Sequence, residues 1–338
     1  MKYLLHLFLA AAIIFLSVPV FAQVTKVGTT AASFLKIGVG ARSVGMGGAF
    51  VAVSDDISAM YWNVSGISKL TSPEIIFNHS EWLEQINFDY AGIAFPLGNL
   101  GTVGVSFTAL TMNDFEQTTE LDPEGTGVFF SAGSYAAAVS FARQLTTKFM
   151  IGFTAKYVQE NIFNSRATGI ALDVGTLFTT PFNGMRLGMS ISNFGTKMNI
   201  TGDDLLVQVD PDPTISGNNQ VISARYVTDD FDMPLLFRVG LAMELLNTEQ
   251  NRLTIATDAL HPNDNSESLN VGGEYAFNET FFLRGGYQAI FLDNSEEGFT
   301  VGAGVHADLS SINFKLDYAY EDFGILDNIQ KFTVRLSF

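Results

Sequence analysis

Two adjacent carboxylates are the first feature of this sequence that could do chemistry. Asp55 and Asp56 lie within residues 38–66, a segment rich in glycine and other small residues. A carboxylate pair can bind a metal ion or act in acid–base catalysis. Ser54 and Asp55 also precede residues 57–60, and Ser and Asp at such positions cap helix N-termini. We therefore expect a helix to begin here, in preference to a metal site or a catalytic pair.

The spacing of glycine and of histidine excludes two further kinds of site. Gly38 and Gly40 begin as a dinucleotide-binding loop does, but Ser43 occupies the place of the third glycine. No Gly-Lys-Ser/Thr follows either, so we expect no nucleotide site. No catalytic or metal-binding spacing joins the three histidines beyond the N-terminal segment, His79, His261 and His306. The sequence predicts a protein that is not an enzyme, with no cofactor and no catalytic residue.

Acidic residues dominate the charge of the chain. The formal net charge is −17, and acids concentrate in residues 114–124 and 203–232. Nucleic-acid binding needs a basic surface, so we expect no nucleic-acid partner. The acidic loops could hold calcium or form a solvated surface that faces lipopolysaccharide; no EF-hand spacing is present, and we predict no metal site. The absence of cysteine excludes disulfides and thiolate–metal sites.

Residues 1–22 are predicted to be a cleaved secretory signal peptide. Lys2 supplies the positive charge, residues 4–16 form a short apolar run, and residues 20–22 offer a cleavage site. Beyond residue 22 no run of about 18 apolar residues occurs, so no transmembrane helix is predicted in the mature chain. The mature chain is nevertheless apolar, which leaves a soluble all-β core or a transmembrane β-barrel.

Strand-like segments recur along the chain from residue 74 onward. In the last of them, Phe332 and Leu336 share one face while Lys331 and Arg335 share the other. If Leu336 faces lipid at mid-membrane, its replacement by Arg costs about 2–4 kcal/mol. We identify about fourteen such segments: residues 74–80, 87–95, 101–110, 134–142, 148–159, 167–178, 185–194, 234–245, 251–259, 268–277, 280–291, 298–307, 311–321 and 329–338.

The connections between these segments alternate in length. Short turns such as residues 146–147 alternate with long connections, of which 111–133 and 195–233 are the longest. This order is typical of outer-membrane barrels and not of soluble sandwiches. Strand edges exposed to lipid would leave backbone groups unsatisfied, so the sheet must close. We predict an all-β fold, in which residues 74–338 form a transmembrane antiparallel barrel of about fourteen strands in the outer membrane.

A barrel of this size encloses a wide lumen that residues 23–73 are available to fill. We predict that they form a luminal plug, or hatch, that contains a short helix. Glycines there let the backbone pass close to the barrel wall. The plug residues that we single out are Gly38, Gly40, Arg42, Gly45, Gly47, Gly48, Asp55, Asp56, Asn63 and Gly66.

Several apolar residues lie in predicted extracellular loops. Exposed apolar loop residues indicate a docking surface or an access groove for apolar ligands, and loop-on-loop packing is the alternative. The candidate loop surface consists of Trp82, Leu83, Phe115, Phe129 and Phe130.

The N-terminal part of the mature chain resembles the signature of the PorV/PorQ family. The resemblance lies in residues 34–50, 55–56 and 61–63, and extends through residues 81–83, 123–127 and 188–195. Relatives have Asn-Pro-Ala-Gly where this chain has Asn-Val-Ser-Gly at 63–66, so a rigid turn is lost. The family is similar to FadL-type fatty-acid transporters, which implies a fourteen-stranded barrel with an N-terminal hatch.

Two functions follow from this resemblance. The first is a role in type IX secretion, in which loops 111–133 and 195–233 bind secreted cargo proteins or other components of that system. The alternative is a passive channel for hydrophobic small molecules that residues 38–66 gate. Outer-membrane lipid and lipopolysaccharide are expected to surround the barrel in either case.

Overall fold

The protein forms a closed antiparallel β-barrel. The computed structural model describes residues 26–211, 214, 221–293, 295–309 and 312–338, so the predicted signal peptide lies outside the described residues. Each barrel strand pairs with its neighbours in sequence, and β14 pairs with β1. The fourteen strands are β1 Glu74–Glu81, β2 Asn87–Pro96, β3 Thr102–Thr111, β4 Ala132–Thr146, β5 Phe149–Ile162, β6 Ser165–Thr179, β7 Arg186–Gly195, β8 Leu236–Asn247, β9 Asn251–Pro262, β10 Ser268–Phe277, β11 Phe281–Ile290, β12 Phe299–Leu309, β13 Ile312–Asp322 and β14 Asn328–Ser337. The predicted fold class is confirmed.

Short strands also occur in the long connections. Ile200–Gly202 pairs with the start of β6, at residues 165–167. A hairpin joins Phe115–Glu116 to Phe129–Phe130, and a second joins Leu206–Val209 to Ile222–Arg225. These strands extend the fold beyond the barrel at one end.

The two rims of the barrel differ in the length of their connections. One rim has connections of two to six residues, at 97–101, 147–148, 180–185, 248–250 and 278–280. The opposite rim, here the long-loop rim, carries residues 112–131 and 196–235. The predicted alternation is wrong at several places on the long-loop rim: β5 and β6 meet in a two-residue turn at 163–164, and the connections 82–86, 263–267 and 323–327 are no longer than turns of the other rim. Because long loops are extracellular in outer-membrane barrels, we expect the long-loop rim to face outward and call it the extracellular rim.

Apolar side chains cover the outside of the wall, and charged ones lie inside it. Phe332 is 49% exposed, whereas Lys331 and Arg335 on the same strand are 0% and 2% exposed. A water-soluble protein has the opposite arrangement, with apolar side chains inside and charged ones outside. Exposed phenylalanine is favourable where the wall contacts lipid. Among the described residues no helix is long and apolar enough to cross a membrane.

Residues 26–73, here the luminal segment, lie inside the barrel. The segment contains a 3-10 helix at Ser33–Lys36, helix α1 at Ala41–Gly45, helix α2 at Ala59–Trp62 and a 3-10 helix at Val64–Lys69. The expected helix start at Asp55 is wrong. Helix α2 begins later, at Ala59, and its N-cap residue Ser58 makes no side-chain cap. Asp55 binds Arg42 instead, and Asp56 accepts from arginines at Oδ2 and from the Ser58 amide at Oδ1.

The lumen is lined differently on its two sides. Strands β1 to β6 present mainly small and apolar residues, against which Phe34, Leu35 and Met60 pack. Strands β7 to β14 supply most of the charged residues that face inward. Gly47 shows how closely segment and wall approach: its φ is +65°, and a Cβ would lie 2.6 Å from the Val271 carbonyl oxygen. Glycine is required there for both reasons.

Candidate functional site

Arg42 is the centre of the polar contacts between the luminal segment and the wall. Its Nε and Nη2 donate to Glu274 of β10 at 2.9 and 3.0 Å. Its Nη1 donates to Asp55 at 2.6 Å and to Asp56 at 2.8 Å. One buried guanidinium thus joins helix α1, the following turn and the barrel wall, and such charge-assisted hydrogen bonds are strong.

Two arginines of the wall continue this contact into a buried ionic cluster. Arg335 donates to Asp56 and, through Nη2, to Asp317 at 2.9 Å. Arg284 donates to Asp317 at 2.7 Å and to Glu274 at 2.8 Å. Every carboxylate in the cluster accepts from at least one guanidinium. The cluster therefore anchors the segment, and its carboxylates are occupied by cations of the protein itself.

The pKa of Asp56 reflects this setting. Burial acts to raise it, but the guanidinium groups of Arg335 and Arg42 outweigh burial and hold the pKa below its usual value. Asp56 is therefore ionised at neutral pH and unsuited to donate a proton. Among the described residues no group of three or more His, Asp or Glu side chains could hold a metal ion.

Asn63 fixes the end of the luminal segment to β6. Its Nδ2 donates to the Val51 carbonyl at 2.8 Å and to the Thr176 carbonyl at 2.9 Å. Its Oδ1 accepts from the Ser65 amide and hydroxyl, which starts the 3-10 helix. Gly66 follows, where a Cβ would lie 2.5 Å from the Ser54 carbonyl oxygen. The turn is thus held by hydrogen bonds rather than by a proline.

All ten of the plug residues singled out in the sequence lie in the lumen. Gly38 accepts at its carbonyl from Lys331 Nζ at 3.0 Å, and the Gly40 amide donates to Asn78 at 3.2 Å. Sequence reasoning did not pair them with their partners on the wall, which include Asn78, Glu274, Thr300, Lys331 and Arg335. The alternation of charged and apolar residues predicts that these wall residues face inward, but it does not predict their height in the barrel.

A cavity of about 420 Å³, here the vestibule, lies between the luminal segment and the long-loop rim. Aromatic and aliphatic residues form much of its wall: Phe34, Ile37, Trp62, Trp82, Leu236, Leu260 and Phe323. Polar residues also line it: Lys36, Arg238, Asp264, Asn270, Gln288, Glu297 and Glu321. Volumes of roughly 300–1,000 Å³ with a largely apolar lining and a few polar groups are typical of small-molecule sites.

Most charges in the vestibule have partners. Lys36 Nζ lies 2.7 Å from Asp264, and Lys331 Nζ lies 3.6 Å from Glu321, above the Trp82 ring. Glu297, near the extracellular rim, is reached by solvent, but the surrounding protein and the Glu321 carboxylate raise its pKa to about 7. The charge of the vestibule therefore changes near neutral pH.

The candidate loop surface is divided between two places. Trp82 lines the vestibule, and its ring lies 5.3 Å from that of Phe323. Phe115 and Phe130 pair across the extracellular hairpin at 6.1 Å. Phe115 and Phe129 are 52% and 58% exposed, and Leu83 is half-buried. No ring contact among the described residues joins Trp82 to the hairpin, so the five residues do not form one surface.

A larger cleft of about 780 Å³ lies among the extracellular loops. Its walls are mostly polar and include Asp114, Arg166, Asp203 and Arg225, all of which are exposed. Solvent satisfies groups of this kind. The vestibule is the stronger candidate, because Arg238, Asp264 and Glu321 are buried there and each has a polar atom without a hydrogen-bond partner.

Comparison with known proteins supports the fold. The sequence profile of an uncharacterised protein family, UPF0164, matches residues 17–155. No curated protein matches the chain significantly. The chain is similar in structure to the toluene transporter TodX of Pseudomonas putida, with 15% identity, a TM-score of 0.54, and coverage of 89% of this chain and 97% of TodX.

Two further solved structures are similar. The toluene transporter TbuX of Ralstonia pickettii has 12% identity and a TM-score of 0.54, with 89% of this chain and 97% of TbuX covered. The monoaromatic hydrocarbon channel CymD has 12% identity and a TM-score of 0.52, with 89% and 96% covered. The assignment to PorV/PorQ stays a prediction. The chain is thus an outer-membrane β-barrel with the fold of these transporters.

Proposed function

We propose that this protein binds small, largely apolar compounds in the vestibule and admits them across the outer membrane. The observation that carries the proposal is the aromatic-lined cavity of about 420 Å³ on the extracellular side of the luminal segment. Cavities of this size and lining suit single small molecules. The names of the structural neighbours, which are toluene transporters and a monoaromatic hydrocarbon channel, agree with it.

Passage beyond the vestibule requires the luminal segment to move. The segment fills the lumen with two apolar clusters, and the ionic cluster around Arg42 fixes it to the wall. In this proposal the segment acts as a hatch, which residues 38–66 form. The closed barrel is then the resting state of the channel.

Uptake of N-phenyl-1-naphthylamine, an apolar dye that the outer leaflet excludes, tests this function. Intact cells that contain the protein should take up the dye faster than cells without it. Ser268→Phe, which adds a ring to the vestibule wall, should abolish the difference. Leu269→Phe is the matched control, because strand alternation places it on the opposite face of β10. Equal uptake with and without the protein would eliminate the proposal.

Partner-protein binding is a second candidate function. The exposed aromatic residues Phe115 and Phe129 on the extracellular hairpin favour it, and the PorV/PorQ resemblance predicts a type IX secretion role for such a surface. Pull-down of the tagged protein from cells that contain a type IX system provides the test. Recovery of no secreted protein and no attachment-complex component would eliminate this role.

A further inference from the structure

Arg238 differs from the other buried arginines of the lumen. It lies on β8, lines the vestibule and is 5% exposed. Arg42, Arg284 and Arg335 each bind two or more carboxylates. Arg238 forms no salt bridge within the described part of the chain, and its Nε has no hydrogen-bond partner there. It is a buried cation to which the described residues supply no paired anion.

The neighbours of Arg238 do not provide that anion. Asp258 on the adjacent strand forms no salt bridge with Arg238: its Oδ2 accepts from the Phe50 and Val51 amides at 2.8 and 2.9 Å, and its Oδ1 lies against Gly240 without a hydrogen-bond partner. The Tyr61 hydroxyl donates to the Leu35 carbonyl and can accept from the guanidinium, but it carries no charge. Two aromatic rings hold the guanidinium in place. Its carbon lies 5.1 Å from the centre of the Trp62 ring and 5.8 Å from that of Tyr61, a cation–π arrangement.

The other charges of the vestibule leave Arg238 as its unmatched positive group. Lys36 neutralises Asp264, and Lys331 with Gln288 binds Glu321. Glu297 is the remaining acid, and it lies in the loop near the extracellular rim. An unpaired buried charge is unfavourable by several kcal/mol, so an anion that reaches it is strongly stabilised. Arginine presents paired N–H groups that match a carboxylate.

We propose that the vestibule binds compact aromatic carboxylates, and that Arg238 is the residue that selects them. The inference rests on the proposed function and names its substrate class. The carboxylate of the ligand pairs with the Arg238 guanidinium. The ring of the ligand packs among Phe34, Trp62 and Trp82, which line the same cavity. Neutral hydrocarbons of the same shape fill the apolar part but leave the guanidinium unpaired.

Two probes of matched shape test the proposal, p-toluate and p-xylene, which differ by a carboxylate in place of a methyl group. Their dissociation constants are measured by equilibrium dialysis of the full-length protein in detergent micelles, with protein-free micelles as the blank. The wild type should bind p-toluate at least about tenfold more tightly than p-xylene, as expected for a hydrogen bond to a charged group. Arg238→Gln should abolish this preference, and Arg238→Lys should restore part of it.

Arg186→Gln is the control, because Arg186 is another arginine of the lumen but does not line the vestibule. It should keep the wild-type preference. Equal affinity of the wild type for the two probes would overturn the inference while leaving the proposed function intact. Binding of neither probe would overturn both. The wild-type comparison decides the matter even if Arg238→Gln fails to fold, and a preference that survives in a folded Arg238→Gln variant also overturns the inference.

Discussion

Glu274 is the position where a single atom replacement should release the luminal segment. Its side chain is 0% exposed and accepts from Arg42, from Arg284 at 2.8 Å and from Arg252 at 3.2 Å. Glu274→Gln keeps the shape but removes the charge that these guanidinium groups share. Breaking a buried ion pair by removing one partner costs about 3–5 kcal/mol. At about 1.36 kcal/mol per factor of ten, this cost sets an upper limit of roughly two to nearly four orders of magnitude on the rise in the released population, because Arg284 and Arg252 lose the same partner in both states.

Conductance of single barrels in planar lipid bilayers measures this population. Glu274→Gln should open far more often than the wild type, with folding checked by heat-modifiable gel migration. Glu279→Gln is the matched control: Glu279 also accepts from Arg252, at 2.7 Å, but its side chain is 60% exposed. An exposed pair is worth about 0–1 kcal/mol, so this variant should behave as the wild type. Identical opening by the two variants would refute the anchoring role of the cluster.

Three further predictions concern the turn, the membrane-facing wall and the vestibule. Val64→Pro should be tolerated or should stabilise the protein by about 0.4–1 kcal/mol in urea unfolding. Val64 begins a 3-10 helix, and Asn63 already has the extended backbone that precedes proline. A loss of more than about 1 kcal/mol would show that the Val64 amide is needed. Phe332 lies at the middle of β14, and Phe332→Arg should destabilise the barrel by about 2–4 kcal/mol. Leu336 lies beside the short-turn rim, so Leu336→Arg should destabilise it by only about 0–1 kcal/mol. Equal losses would contradict this assignment of depth. Affinity for p-toluate should rise as pH falls from 8 to 6, because the pKa of Glu297 is raised to about 7 and its carboxyl becomes neutral below that value. Glu297→Gln should flatten this pH profile. A slope that persists in the variant would exclude Glu297 as its cause.

The barrel was predictable from local pattern, and the position of its strands agrees closely with the prediction. Alternation of inward polar or small residues with outward apolar ones, as at Arg335 and Phe332, recurs along the chain and needs no knowledge of the partner strand. The depth of Leu336 in the membrane was harder to predict, because alternation reports which face a residue occupies but not its height in the membrane. The structure places Leu336 opposite Ile75 and Phe314, near the short-turn rim.

The site was predictable only in part, because its contacts join residues that are far apart in sequence. Arg42 and Glu274 are separated by 232 positions, and nothing local links them. Near Asp55 the capping signal was misleading, since a tertiary contact with Arg42 overrides a local preference. Arg238 is one of several charges that alternation places inward, and only the arrangement of the neighbouring strands reveals that none of the described residues pairs it with an anion.

Tryptophan fluorescence tests the central claim, which is that the vestibule binds small apolar molecules. The chain has two tryptophans, Trp62 and Trp82, and both line the vestibule. Titration of the purified barrel with toluene should therefore change the emission and reach saturation, and Ser268→Phe should remove the saturable part. A change that grows linearly with toluene, and is the same in the wild type and Ser268→Phe, would contradict the account.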